Sequence, residues 1–292
     1  MKLLSYTRND IFRTGVLIDS DNVLDLNDCD PEIPTGMCEL LAGGEPTLVR
    51  IRAIVAAAEN SAAPRSKSML LDGLRLCGPV QRPEKILGIG LNYRDHVLEM
   101  GREMPTDMRV FAMFANGLIG SGDEIVLPRN SDEVDYEAEL VVVIGRNTRY
   151  VSVADALKYV AGYTVGNDVS TRNHQRNDPL TMRGKCGDTH APTGPWMVTS
   201  DELSDPSNLD IELKVNERVL QSSNTSELVF SVAEIISFIS QYYTLKPGDL
   251  IFTGTPAGVG CGRTPPIWLQ PGDRIEVTID KIGTLHNTCV AE

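Results

Sequence analysis

The sequence predicts a strand-rich α+β fold, a mixed β-sandwich roll preceded by a small strand-rich N-terminal domain. Three observations carry this prediction. Short apolar, β-branched runs recur along the whole chain. Gly-Asp and Pro-Gly-Asp turns separate them, as at Pro247-Gly248-Asp249 and Pro271-Gly272-Asp273. Beyond residue 80 only 153–160 and 232–240 read as helices, too few to cover both faces of a doubly wound sheet.

Taken in order, strand patterns at 2–6, 13–18 and 23–26 open the chain, and a helical stretch at 48–57 follows. A polar segment at 59–66 then predicts a flexible connection, which sets a first domain at 1–78. The second part, 79–292, carries strand patterns at 85–90, 124–127, 140–145, 196–199, 209–215, 250–253 and 274–279. No internal repeat and no long low-complexity tract interrupts it.

Composition narrows the function. A chain of 292 residues with 41% hydrophobic and 23% charged residues is long enough for a sizeable core. Its net charge of −13 argues against nucleic acid or an anionic membrane as partner, and an anionic substrate then needs local positive charge or a bound cation. No apolar run approaches the roughly 20 residues of a membrane span. Arg8 comes too early for a secretory signal. Six scattered cysteines without a C-x-x-C pair suggest neither a disulfide framework nor a zinc site. A reduced, cytoplasmic location is the expectation.

The most informative stretch is Asp135-Tyr136-Glu137-Ala138-Glu139-Leu140, running into Val141-Val142-Val143-Ile144-Gly145. On a strand, Glu137 and Glu139 share a face with Val141 and Val143. Two carboxylates on a face that turns apolar repel each other and lose hydration, and a hard divalent cation relieves both penalties. Asp168 ends the next strand-like run and offers a third oxygen ligand. Standing alone, such a pair is more often a solvated face, with Tyr136, Ala138 and Leu140 in the core.

Other motifs add to this. In His96-Val97-Leu98-Glu99 the three-residue spacing lets Glu99 orient the imidazole on a helical turn, as for a general base; a surface helix start is the plainer alternative. Lys185 lies on a glycine-flexible stretch, and 247–260 gathers glycines around Thr253 and Thr255 as a carboxylate-binding loop would. Gly88-Ile89-Gly90-Leu91-Asn92-Tyr93 starts like a dinucleotide fingerprint but has Tyr93 at the third glycine. No P-loop or G-x-S-x-G is present.

Together these motifs resemble the fumarylacetoacetate hydrolase superfamily, its acylpyruvase and 2,4-diketo-acid hydrolase branch above all. The matching order is 90–96, 135–140, 162–164, 167–170, Gly184-Lys185, Asp188-Thr189, 194–196, 245–249 and 253–260, over about residues 83–290. The resemblance implies Mg²⁺ (or Mn²⁺ or Ca²⁺) on Glu137, Glu139 and Asp168, a His96–Glu99 dyad that activates water, and Lys185 polarising a substrate oxo group. It implies Tyr93, Arg172, Gln175 and Thr255 as substrate-binding residues and a homodimer as the assembly. The implied reaction is hydrolysis of a C–C bond in a 2,4-dioxo acid, releasing pyruvate as its enolate. Decarboxylation, tautomerisation or isomerisation of an oxo acid at the same metal is the alternative, and a catalytically silent binding protein the second. The chain departs from the family at Lys185-Cys186-Gly187-Asp188-Thr189-His190, at Thr181 and at Phe111-Ala112-Met113, so the substrate is the least determined feature. His190, Arg172 and Met113 are the residues expected at its distal end.

Overall fold

The protein is described here by a computed structural model covering residues 1–60 and 68–292. The connection expected at 59–66 lies, from residue 61 onward, outside the described residues. Strands β1 (Lys2–Arg8), β2 (Ile11–Leu17) and β3 (Asn22–Asp25) form an antiparallel meander. The helices Met37–Ala42 and Gly44–Asn60 follow, then β4 (Ser68–Leu70) and β5 (Arg75–Cys77).

The second part runs β6 (Ile86–Gly90), β7 (Arg109–Met113), β8 (Leu118–Ile119), β9 (Glu124–Leu127), β10 (Val134–Asp135) and β11 (Ala138–Ile144). It continues with β12 (Val160–Asn167), β13 (Ser170–Thr171), β14 (Ala191–Thr199), β15 (Asp210–Val215) and β16 (Arg218–Asn224). It ends with β17 (Leu250–Phe252), β18 (Arg274–Ile279) and β19 (Gly283–Ala291).

Two large mixed sheets result. One follows the order β4-β3-β2-β1-β14-β12-β11-β17-β6-β7, and the other β16-β15-β18-β19-β9. β6–β17 and β9–β19 are parallel, whereas β11 is antiparallel to both its neighbours. The expected boundary at 78/79 falls between β5 and β6, yet strands on both sides share the first sheet, with Leu3 opposite Met197.

β11 shows why. Leu140, Val142 and Ile144 face the second sheet, packing in one core with Ile211, Leu213 and Val277. Val141 and Val143 face the other way, against Leu3, Met37, Leu40 and Ile51. The N-terminal helices thus cover the outer face, and β11 needs the continuous apolar run of a strand buried on both sides. The helix Val232–Ser240 closes one end of the roll, with a capping box between Ser231 and Glu234 and with Ile235, Ile236 and Ile239 buried. The stretch expected to be helical over 153–160 is helical only over Val153–Ala156; a 3₁₀ turn follows and Val160 opens β12.

Candidate active site

The start of β11 and the end of β12 bring the three carboxylates together. Glu139 pairs in register with Gly166, and the Asp168 amide donates to the Glu137 carbonyl (2.9 Å). The Asn167 side chain accepts the Glu137 amide (2.9 Å), fixing the turn. Oxygen atoms of Glu137, Glu139 and Asp168 lie within 4.8 Å of one another. Exposures of 6%, 2% and 0% rule out the solvated face. Tyr136, Ala138 and Leu140 are nonetheless in the core as well, because the strand is covered on both sides.

Two cations sit within the cluster. The Lys185 ammonium donates to Glu137 and Asp168, both at 2.6 Å. Arg172 donates to Glu137 (2.6 Å), Asp135 (2.8 Å) and the Gln175 side chain (3.0 Å). Counted with Asp135, four carboxylates face two cations, so with all four ionised two negative charges are uncompensated. The titration of the triad reflects this. Burial raises the Glu137 carboxyl, but Lys185 and Arg172 outweigh it and hold the group at about 2. Burial, reinforced by the charges of Asp168 and Glu137, drives Glu139 well above the carboxylate range. Asp168 is pushed to about 7 by burial, with Lys185 only partly offsetting it.

These donors suit a hard divalent cation. Oxygens around a six-coordinate Mg²⁺ lie about 3–4 Å apart, so the cluster needs only a small contraction. Asp168 Oδ1 is buried and has no hydrogen-bond partner in the protein. Glu139 is already oriented, since its Oε2 accepts the Gly254 amide (2.7 Å). Gly254 has φ +99°, and a Cβ there would lie 2.8 Å from that of Asn92. Only glycine permits this approach of the loop to the carboxylate.

The imidazole comes from the helix Arg94–Glu99. His96 Nδ1 lies 3.2 Å from Glu99 Oε2, and Glu99 Oε1 accepts the Gly258 amide (2.9 Å). Asn92 anchors this segment by donating to the Thr253 carbonyl (2.7 Å). The helix and the glycine-threonine loop are therefore held together as one wall. Lys185 ends the short helix Met182–Lys185, which starts after Thr181 at φ 61°, a left-handed conformation costly for a β-branched residue.

A cavity of about 780 Å³ unites these groups. His96, Glu137, Glu139, Asp168, Arg172, Gln175, Lys185 and Thr255 line it. Glu99 stands behind His96. Tyr93 is not a lining residue; its ring is fully buried in the core. His190 and Met113 do not line the cavity either, a correction to the expected distal wall. His190 Nε2 instead bonds the Val126 carbonyl (3.1 Å), and Met113 packs into the core beneath the N-terminal helices. The lining is completed by residues that include Met100, Arg102, Met108, Arg109, Leu180 and Phe111, whose ring centre lies 5.4 Å from the Lys185 ammonium.

Sequence reasoning also missed Asp135 and Gln221. Asp135 takes Arg172 and the amides of Gly260 (2.7 Å) and Cys261 (3.0 Å). Gln221, from the second sheet, accepts the Ala138 amide (2.9 Å) and donates to Thr255 Oγ1 and the Pro256 carbonyl (both 2.8 Å). Asp135 stood in the D-Y-E-A-E string as a visible signal. Gln221 had none.

Such a concentration of buried, paired ionisable groups in one cavity of a β-roll is that of an enzyme. The chain belongs to the fumarylacetoacetate hydrolase family: the region described as fumarylacetoacetate (FAA) hydrolase C-terminal matches residues 85–290. It is 43% identical over 270 residues to the mitochondrial oxaloacetate tautomerase FAHD2A of Bos taurus, covering 92% of this chain and 84% of that one. Among solved structures it resembles 5-carboxymethyl-2-hydroxymuconate delta-isomerase from Mycobacterium smegmatis, with TM-score 0.78, 32% identity and full coverage of both chains. Maleylpyruvate hydrolase from Sphingobium sp. SYK-6, in complex with manganese(II) and pyruvate, gives TM-score 0.80 and 30% identity over 100% of this chain and 99% of that one. This chain is accordingly an oxo-acid enzyme of the family, and the tautomerase alternative has more support than the hydrolase first expected. The compartment named for the bovine relative is the mitochondrion, not the cytoplasm expected here. Among the described residues no helix is long and apolar enough to cross a membrane.

Proposed function

We propose that the chain is a divalent-metal-dependent tautomerase of a 2-oxo acid, of the oxaloacetate type, with Glu137, Glu139 and Asp168 as ligands of Mg²⁺ or Mn²⁺. The observation that carries the metal is the buried triad, whose full ionisation leaves two charges uncompensated. The choice of reaction rests on the 43% identity to an oxaloacetate tautomerase across most of both chains. In this reading residues 1–78 form a module backing the sheet, 79–292 carry the chemistry, and the assembly is a homodimer.

When bound, the cation supplies a Lewis acid for the substrate's C2 oxo oxygen and so acidifies the C3 protons. The protein supplies the rest. Thr255 receives a hydrogen bond from Gln221 Nε2, which leaves its own proton free to donate to the C1 carboxylate. Arg172 and Gln175 hold one side of the cavity rigid. His96, oriented by Glu99, takes the C3 proton, and Lys185 donates toward the oxo oxygen as it gains charge. Transfer of a Lys185 proton to the oxo oxygen completes the enol, and solvent then takes the proton from His96 and restores that of Lys185. The same steps in reverse return the keto form with no net change in atoms.

Hydrolysis of a 2,4-dioxo acid is the second reading, supported by the likeness to a maleylpyruvate hydrolase and by a dyad suited to activating water. The test is to supply Mg²⁺ and follow oxaloacetate keto–enol exchange beside pyruvate release from acylpyruvates. Exchange without cleavage supports the tautomerase; cleavage as the faster process replaces it with the hydrolase.

A further inference from the structure

We infer that Arg102 and Arg109 recognise a second carboxylate, at the end of the substrate remote from the triad, and so select dicarboxylic over monocarboxylic oxo acids. The inference rests on the proposed reading of the site and goes beyond it by assigning two further lining residues to substrate specificity.

Four basic side chains of Lys and Arg line the cavity, and they fall into two kinds. Arg172 and Lys185 are buried and paired with Asp135, Glu137 and Asp168. Arg102 and Arg109 are exposed and have no acidic partner within 4 Å and no side-chain hydrogen bond among the described residues. Their acidic sequence neighbours do not neutralise them. Asp107 Oδ1 accepts the Met108 amide (2.9 Å), and neither it nor Glu103 forms an ion pair with either arginine.

Acidic residues outnumber lysine and arginine 40 to 27. Several exposed arginines, Arg82, Arg146 and Arg218 among them, likewise form no ion pair among the described residues, but only Arg102 and Arg109 of that kind line this cavity. Two unpaired guanidinium groups therefore form a local positive patch within a field of net charge −13. The same cavity is also lined by the apolar Met100, Met108, Phe111 and Met182. It therefore offers a substrate a carboxylate-lined metal centre, apolar side chains and two unpaired guanidinium forks. Arginine's planar fork matches a carboxylate in a bidentate manner. A substrate with a methyl in place of that carboxylate leaves the patch with only water.

The test uses the full-length protein with Mg²⁺ and a matched pair of acids, 2-oxobutanedioate and 2-oxobutanoate, which differ by a carboxylate in place of a methyl. Exchange of the C3 protons for deuterium, followed by NMR, reads both. In Arg102→Gln/Arg109→Gln, the ratio of kcat/KM for the diacid over the monoacid should fall on the order of 10- to 100-fold, mainly through KM. Arg→Lys at both positions should restore part of that ratio. A ratio unchanged from wild type overturns the inference while leaving the proposed tautomerase standing. A wild-type protein that exchanges neither acid overturns both.

Discussion

Stripping divalent metal should make the stability of this protein depend on pH in a window where most proteins are nearly flat, and the triad sets both its sign and its size. Asp168 titrates at about 7 in the fold, against an ordinary 3.8, because it is buried and faces Glu137, with Lys185 only partly compensating. A carboxyl raised on folding keeps its proton in the native state at a pH where the unfolded chain has released it. The native state then binds more protons, so stability falls as pH rises from about 4 to about 7. At about 1.4 kcal/mol per unit, with the slope halving as Asp168 titrates, its loss between pH 5 and pH 7 is roughly 2 kcal/mol, and Glu139, also raised, adds to it.

Groups held low, such as Glu137 and Asp25, are ionised in both states above pH 5 and cancel. His190 opposes the trend. Burial lowers its pKa, so its contribution to stability is lost as pH falls through its unfolded value of about 6.5, with or without metal. The difference between chelated and Mg²⁺-saturated protein therefore isolates the triad. Urea unfolding followed by circular dichroism at pH 5, 6, 7 and 8, in EDTA and in saturating Mg²⁺, measures it. The EDTA series should fall away from the Mg²⁺ series by roughly 2 kcal/mol or more from pH 5 to 7. Two parallel series would refute the assignment of these carboxylates to a cation.

Three further outcomes follow from the same geometry. His96→Ala should lower kcat on the order of 10²- to 10⁴-fold while leaving Mg²⁺ affinity, by calorimetry, within about twofold; equal activity sinks the role given to the imidazole. Gln221→Leu should raise KM about tenfold with a smaller effect on kcat, because Thr255 loses the donor that orients it; an unchanged KM shows that Thr255 does not hold the substrate carboxylate. Asp25→Ala should cost about 3–5 kcal/mol in urea unfolding, since it strands Arg13 and the Tyr6 hydroxyl beside a buried site. A cost below about 1 kcal/mol would mean that water replaces the carboxylate freely.

What the sequence disclosed, it disclosed through local periodicity. The alternation of a strand put Glu137 and Glu139 on one face, and the helical spacing of His96 and Glu99 brought them within 3.2 Å. The strand-rich class, the helix over Val232–Ser240 and strands such as Glu124–Leu127 and Arg274–Ile279 were legible for the same reason. Burial of the triad was not, because the groups packed against it, Arg172, Lys185 and the Gly254 loop, come from segments distant in the chain. β16 and β19 were missed because polar residues point inward from them. Gln221 serves the Thr255 loop, and Asn287 donates to the carbonyls of Gly120 and Asp123 (both 2.9 Å). The lining contributed by residues 100–111 also escaped prediction. It depends on which residues of 100–111 the fold turns toward the cavity, and no period in the sequence encodes that.

The most direct measurement is keto–enol exchange of oxaloacetate by the purified protein, followed by NMR in D₂O with Mg²⁺, with EDTA, and with Mg²⁺ added back after EDTA. The account predicts catalysed C3 exchange with Mg²⁺, its loss on chelation and its return with the metal, without carbon–carbon cleavage. Exchange indifferent to EDTA, or cleavage as the main event, would contradict it.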